Sequence, residues 1–284
     1  MSLLRTSALL VPVSLALAAC AAKPASTIVV GLSSEAPVPT GVDRVRITVL
    51  SGKVTKLDQD YDVGPHGTRV PGTLVIEKSE GTDASTPITV IVRGYANGKE
   101  RVQRRATMGF SEGKQKLLRM PLQFACFDAE CGEGATCHAG ACVADDKNAE
   151  ALPDFTEDKV IPSAGTCFPR EKCEGASMAM SVAQFNARVA TDPTFFDPKD
   201  CSIAVTEARP DLNMGLVWEE EPTGNWTIID YDAEEGWSYV DATHKRVRLS
   251  TGLCDELQRP HPRVTKLLAK SGCAPKPPTQ PECP

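Results

Sequence analysis

Histidine and aromatic side chains are scarce: four histidines, and 5% Phe, Trp and Tyr, in 284 residues. So few histidines leave little for general-base chemistry, which relies on this side chain more than on any other. The common catalytic signatures are missing as well. The chain contains no Gly-x-Ser-x-Gly elbow, no His-Glu-x-x-His pair, no glycine-rich phosphate loop and no dinucleotide fingerprint. Clustered positive charge is also lacking. The formal charge is −6, and Lys and Arg are scattered apart from Arg101, Arg104 and Arg105, which alternate as a solvated strand face would. Phosphate binding draws its affinity from clustered basic residues, so no nucleic acid is expected as a partner. Cysteine is absent between Cys20 and Cys126, although the chain holds eleven.

The N-terminus reads as an address. Arg5 supplies a positive start, Leu9 to Ala18 form an apolar stretch broken by Pro12 and Ser14, and small residues follow. As a membrane span, Leu3 to Ala19 is marginal in length and contains Arg5 and Pro12. The run Leu17-Ala18-Ala19-Cys20 resembles the lipobox of bacterial (Gram-negative) envelope lipoproteins. That resemblance implies a signal peptide over 1–19, cut before Cys20, and lipidation of Cys20 by diacylglyceryl and palmitate chains. It makes the membrane a partner through the anchor. Ala21 after the cysteine favours the outer membrane, by resemblance to the sorting rule of enteric bacteria. Residues 20–26 are then a lipidated tether, reaching about 13 Å as flexible coil.

An exported chain makes disulfides the default state of its cysteines. Eleven is odd, but lipidation of Cys20 leaves ten: Cys126, Cys131, Cys137, Cys142, Cys167, Cys173, Cys201, Cys254, Cys273 and Cys283. Ten can pair completely. Four of them fall within seventeen residues, from Cys126 to Cys142, with Gly132, Gly134 and Gly140 at the bends. This knot resembles the first part of epidermal-growth-factor-like (EGF-like) modules, without their later cysteines. The resemblance implies pairing of first with third and second with fourth. Zinc is the rival, with His138 nearby and structural sites pairing cysteines two to four residues apart, but an exported thiol is more often oxidised. No metal and no cofactor are expected. The six later cysteines allow fifteen pairings, among which the sequence does not choose.

Before the knot the pattern is β. Val45, Ile47 and Val49 alternate with Arg44, Arg46 and Thr48, and the same spacing of apolar residues recurs at Ile88, Val90 and Val92, and then at Leu118, Met120, Leu122 and Phe124. Asn97-Gly98 between two such runs is a strong hairpin signal. Six to eight strands at this spacing predict a β-sandwich, similar in size to the immunoglobulin-like and transthyretin-like modules of bacterial surface lipoproteins. Arg104 breaks the inward series Val102, Ala106 and Met108, which suits an edge strand. His66, in Gly-Pro-His-Gly, reads as a loop tip.

After an acidic stretch that reads as a linker or a surface strap, the second half is mixed. Met178, Val182, Phe185 and Val189 predict one helical stripe ending before Asp192-Pro193. Runs near Met214, Trp226, Gly236 and Arg246 predict one small antiparallel sheet. Pro262 and Gly272 bracket an expected last helix through Leu267 and Leu268. Together these readings predict a mainly β chain. Its parts are an N-terminal antiparallel β-sandwich (27–124), a small disulfide knot (125–143), an acidic linker (144–166) and a C-terminal disulfide-stabilised α+β domain (167–284).

The aromatic residues concentrate in one region. Trp218, Trp226, Tyr231, Trp237 and Tyr239 lie among Glu219, Glu220, Glu221, Asp230, Asp232, Glu234 and Glu235. These aromatics are core side chains on one reading and a sugar-binding or protein-binding surface on the other. Asp230-x-Asp232-x-Glu234 echoes the opening of a calcium loop, with its glycine one place late at Gly236. His244, three residues after Asp241, reads as a solvated turn. The expected function is a lipid-anchored, non-enzymatic structural or binding module of the cell envelope. Binding of an envelope glycan through the Trp218 to Tyr239 region is the alternative, and an envelope hydrolase comes third.

Overall fold

Side-chain alternation builds the first half, as β2 (Arg44–Ser51) illustrates: Val45, Ile47 and Val49 are buried, while Arg44, Arg46 and Thr48 face outward. The computed structural model describes residues 25–160, 167–218, 226–260, 263–278 and 280–282. The expected signal peptide, the expected lipidation site Cys20, Glu219 to Gly224, Pro262 and Cys283 lie outside the described residues. Six further strands complete the sandwich: β1 (Thr27–Ser34), β3 (Val54–Asp62), β4 (Gly72–Glu77), β5 (Ile88–Ala96), β6 (Lys99–Met108) and β7 (Gln115–Leu122). They form two sheets, β4-β1-β7 and β3-β2-β5-β6. Ile28, Val30, Leu32, Met120 and Leu122 from one sheet meet Val45, Ile47, Val90 and Val92 from the other. Each such side chain contributes about 1.5–3 kcal/mol by leaving water.

One pairing departs from the antiparallel expectation. β1 runs parallel to β7. Parallel neighbours need a long crossover, and here the other five strands provide it. The β5–β6 hairpin turns at Asn97 (φ 52°) and Gly98 (φ 78°), the two positive angles of a type I′ turn. β6 is an edge strand, as Arg104 suggested.

The acidic segment covers two open edges. Thr107 N–H donates to Asp145 O at 2.8 Å, and Lys147 N–H returns a bond to Thr107 O at 2.8 Å along β6. Further on, Leu117 N–H donates to Pro153 O at 2.8 Å along β7. Val160 then packs on Gly31 of β1, where an added Cβ would lie 3.0 Å from it. The strap thus satisfies edge groups that would otherwise invite pairing with another chain. The knot folds as a hairpin of β8 (Ala135–His138) and β9 (Ala141–Ala144), with Cys126 bonded to Cys137 and Cys131 to Cys142.

The second half contains β10 (Gly175–Ser181), α1 (Val182–Thr191), β11 (Phe196–Asp197), β12 (Ser202–Ala204), β13 (Asn213–Trp218), β14 (Thr227–Ile228), β15 (Trp237–Tyr239), β16 (Arg246–Leu249), α2 (Thr251–Gln258) and β17 (Val264–Ser271). Three expectations need correction here. The helix does not include Met178, which lies in β10. Ser181 starts α1 through a reciprocal capping box with Gln184, a Ser-x-x-Gln pattern that marks a helix start in the sequence itself. The expected single sheet is two sheets, β10-β17-β13-β14 and β11-β12-β16-β15. The expected last helix is β17, paired on both sides with β10 and β13.

The reason is a bulge. Val217 pairs with Lys266 but Trp218 pairs with Val264, so Thr265 is an extra residue. It shifts the phase of the buried series, leaving Val264, Leu267, Leu268 and Ser271 at spacings that imitate a helix. The helix actually present, α2, is short and carries Gly252. It is held by burial of Leu253 and Leu257 and by the bond between Cys254 and Cys201. Cys173 bonds Cys273 across 100 residues, a loop length for which chain entropy predicts about 4–5 kcal/mol. Cys167 is disulfide-bonded too.

Buried apolar side chains of both halves form one contiguous core. Phe124, at the end of the sandwich, stacks on Trp218 of β13 with ring centroids 5.0 Å apart.

Candidate functional site

Sandwich, knot and second half converge on one carboxylate. Glu235 sits in the loop before β15, where Asp232 Oδ1 accepts its backbone N–H at 3.3 Å and that of Glu234 at 2.8 Å. Its side chain receives Arg104 from β6 at 2.5 and 3.3 Å. The Gln123 amide end lies against the same group, and assigning its nitrogen to that side gives a donor 2.6 Å from Oε2. From the knot, Ala139 N–H donates at 3.2 Å and His138 Nδ1 lies 3.1 Å away. Arg104 and Glu235 are 7% and 6% exposed. A charge pair this deep persists only when its hydrogen-bonding capacity is filled, as it is here.

A second ionic group lies deeper. Lys276, Asp230 and Glu35 are each at most 2% exposed. Lys276 Nζ is bonded to Asp230 Oδ1. Glu35, just after β1, accepts the Asp230 backbone N–H at 2.7 Å and that of Phe124 at 2.9 Å. Burial, followed by the neighbouring charge of Asp230, pushes the Glu35 carboxyl up to about 8. Burial also raises Asp230, against the pull of Lys276. The Lys276 amine is depressed by burial, but the charges of Asp230, Glu35 and Glu282 more than offset this and lift it above its ordinary value. Pro275, Pro277 and Pro278 surround Lys276 and restrict its backbone.

Beside Glu235 a cleft of about 230 Å³ opens between the three units. Arg105, Arg119, Lys147, His138, Ser33 and Glu234 line it. Arg105 is held by Asp145 at 2.5 Å, whereas the exposed Arg119 and Lys147 make no ion pair among the described residues. The cleft can therefore offer two cations to an anionic group. A smaller apolar slot of about 100 Å³ lies between the sheets near β3 and β4, lined by Val30, Ile47, Tyr61 and Leu74.

Of the two readings of the aromatic region, the interior one describes most of it. Trp237 has no exposure, its indole N–H donates to Ile229 O at 3.2 Å, and its ring meets Tyr231 and Tyr239. Trp218 is buried against Phe124, with the Arg263 guanidinium 5.6 Å from its ring centre. Neither can stack on a sugar. Trp226 is half-buried over Gly215, flanked by Arg170 and Lys270. Tyr239 is half-buried and bonds Arg209 O at 2.8 Å, which leaves Tyr231, 40% exposed, as the most open of the five.

The calcium echo does not converge. Asp230 faces Lys276 while Asp232 caps the following turn, and no group of three metal-ligating side chains occurs among the described residues. Asp241 accepts the backbone N–H of Thr243 at 2.8 Å, and His244 follows in a turn with φ 54°. Sequence reading missed Glu35, Lys276 and Glu235 as interior groups. Arg104 in an inward strand phase, and a lysine enclosed by prolines, were the available signals. No family model, curated protein or solved structure matches this chain.

Proposed function

We propose that this chain is a lipid-anchored cell-envelope protein acting as a non-enzymatic structural and binding module. The observation that carries the reading is Glu235: one buried carboxylate from the second half is bound at once by the sandwich and the knot. Such a joint suits a body that holds its shape outside the cell, where disulfides take the place of cytosolic quality control. The cleft beside it is the binding face, with Arg119 and Lys147 as cationic contacts for an anionic envelope component. The address at Leu17 to Cys20 supports attachment to the membrane, on the outer-membrane side by the residue that follows. Acyl chains, at about 0.8 kcal/mol per buried CH₂, would make that attachment lasting.

Fractionation tests the anchor. Cys20→Ser is expected to leave the detergent phase or to remain unprocessed, and a variant that partitions like the parent refutes lipidation. Retention of purified protein on isolated envelopes tests the binding face. It should fall at least several-fold in Arg119→Ala/Lys147→Ala while thermal unfolding stays put, because both side chains are exposed.

A further inference from the structure

We propose that Lys276 and Asp230 condense to an intramolecular amide once the two halves have docked, with Glu35 as the proton-transfer carboxyl. Three observations lead there. First, the amine and the carboxyl that would react are already bonded in a space that water scarcely reaches: Lys276 is 1% and Asp230 2% exposed.

Second, both reactants are fixed by their backbones. Lys276 N–H donates to Asn213 Oδ1 at 2.8 Å, Tyr231 N–H donates to Lys276 O at 2.7 Å, and Trp237 N–H donates to Asp230 O at 3.0 Å. Prolines on each side and the Cys173–Cys273 bond hold the Lys276 segment further. Intramolecular reactants held this way reach effective molarities of about 10⁵–10⁸ M, enough to drive steps that are negligible between free side chains.

Third, a carboxyl from the opposite half completes the group. Glu35 contacts Asp230 through the backbone N–H, and burial, followed by the Asp230 charge, pushes its carboxyl up to about 8, which favours the proton-bearing form. An ion pair in such a place bears a large desolvation cost that a neutral amide does not.

The step balances without an outside reagent. A proton passes from the Lys276 ammonium to the Asp230 carboxylate, giving a neutral amine and a neutral acid. The Nζ lone pair attacks Asp230 Cγ, and the carbonyl π electrons move to oxygen. Glu35 gives its proton to the departing hydroxyl and recovers one from nitrogen. The C–N bond forms, the C–OH bond breaks, and one water leaves. Nothing is oxidised or reduced. Because Glu35 belongs to the sandwich and both reactants to the second half, the bond forms only in a fully assembled chain. This proposal is independent of the binding role above.

The test is peptide mapping by mass spectrometry of the full-length protein purified from its host, reduced and alkylated before digestion. The expected result is a branched peptide joining the Asp230 and Lys276 segments, with a mass one water below their sum. It should be missing from Lys276→Arg and reduced at least tenfold in Glu35→Gln, with the disulfides of both variants mapped to confirm folding. Wild-type protein yielding only separate linear Asp230 and Lys276 peptides overturns the proposal. So does loss of water confined to the Asp230 peptide alone, which marks a cyclic imide. A folded Glu35→Gln protein that is fully cross-linked overturns the part assigned to Glu35.

Discussion

Replacing Glu235 by alanine is expected to loosen the junction of all three units. The change leaves the Arg104 guanidinium buried without its counter-charge and strips acceptors from Gln123 and from Ala139 N–H. Breaking a buried ion pair from one side costs about 3–5 kcal/mol. Each stranded donor would cost about 1–3 kcal/mol more if it stayed dry, although relaxation and water entry prevent simple addition. An expected loss of about 3–5 kcal/mol is a large share of the roughly 5–15 kcal/mol that holds a native protein together. Urea unfolding with disulfides intact, followed by tryptophan fluorescence, is a suitable assay because Trp218 and Trp237 are buried on the second-half side of the junction. The double variant Arg104→Met/Glu235→Leu removes both charges and should recover most of the loss, since apolar replacements of buried pairs are commonly neutral. A single Glu235→Ala variant that costs less than about 1 kcal/mol would refute the reasoning. A double variant no better than the single one would show that packing, and not charge, holds the joint.

Other outcomes follow from the same geometry. Glu35 titrates near 8 in the folded state against 4.5 for an ordinary glutamate, so between these values the native chain keeps a proton that the unfolded chain has lost. Stability should therefore decline as pH rises from 4.5 to 8, and Glu35→Gln should flatten that decline in thermal melts at pH 5 and pH 8. Trp237→Ala should cost about 3–5 kcal/mol through lost area and a cavity, whereas Tyr231→Ala, more exposed but in ring contact with Trp237, should cost about 0.5–1.5 kcal/mol. Equal melting temperatures for the two variants would contradict their placement. At Gly140 (φ 88°) an added Cβ would fall on Gly252 Cα, where the knot meets α2. Gly140→Ala should cost about 1–3 kcal/mol in chemical denaturation, and a neutral result would deny that contact.

Much of the fold is local and was therefore legible. Period-two alternation marks β2, because a half-buried strand writes its two faces into consecutive residues. Asn97-Gly98 marks a hairpin, since those residue types accept the positive φ of that turn. The cysteine count of eleven, with Cys20 set apart in a lipobox-like run, implied a disulfide-supported chain. Local signals stop where partners are distant. Thr265 reads as part of a helix because a bulge can be recognised only against Val217 and Trp218 across the sheet. Burial of Glu35, Asp230 and Lys276 could not be read, because each is polar by composition and becomes interior only when chain segments far apart in sequence close around it. Glu235 and Arg104, 131 residues apart, meet for the same reason. Composition and periodicity determined the kinds of elements. Docking of the halves decided which charges lost their water, because that burial needs partners far apart in sequence.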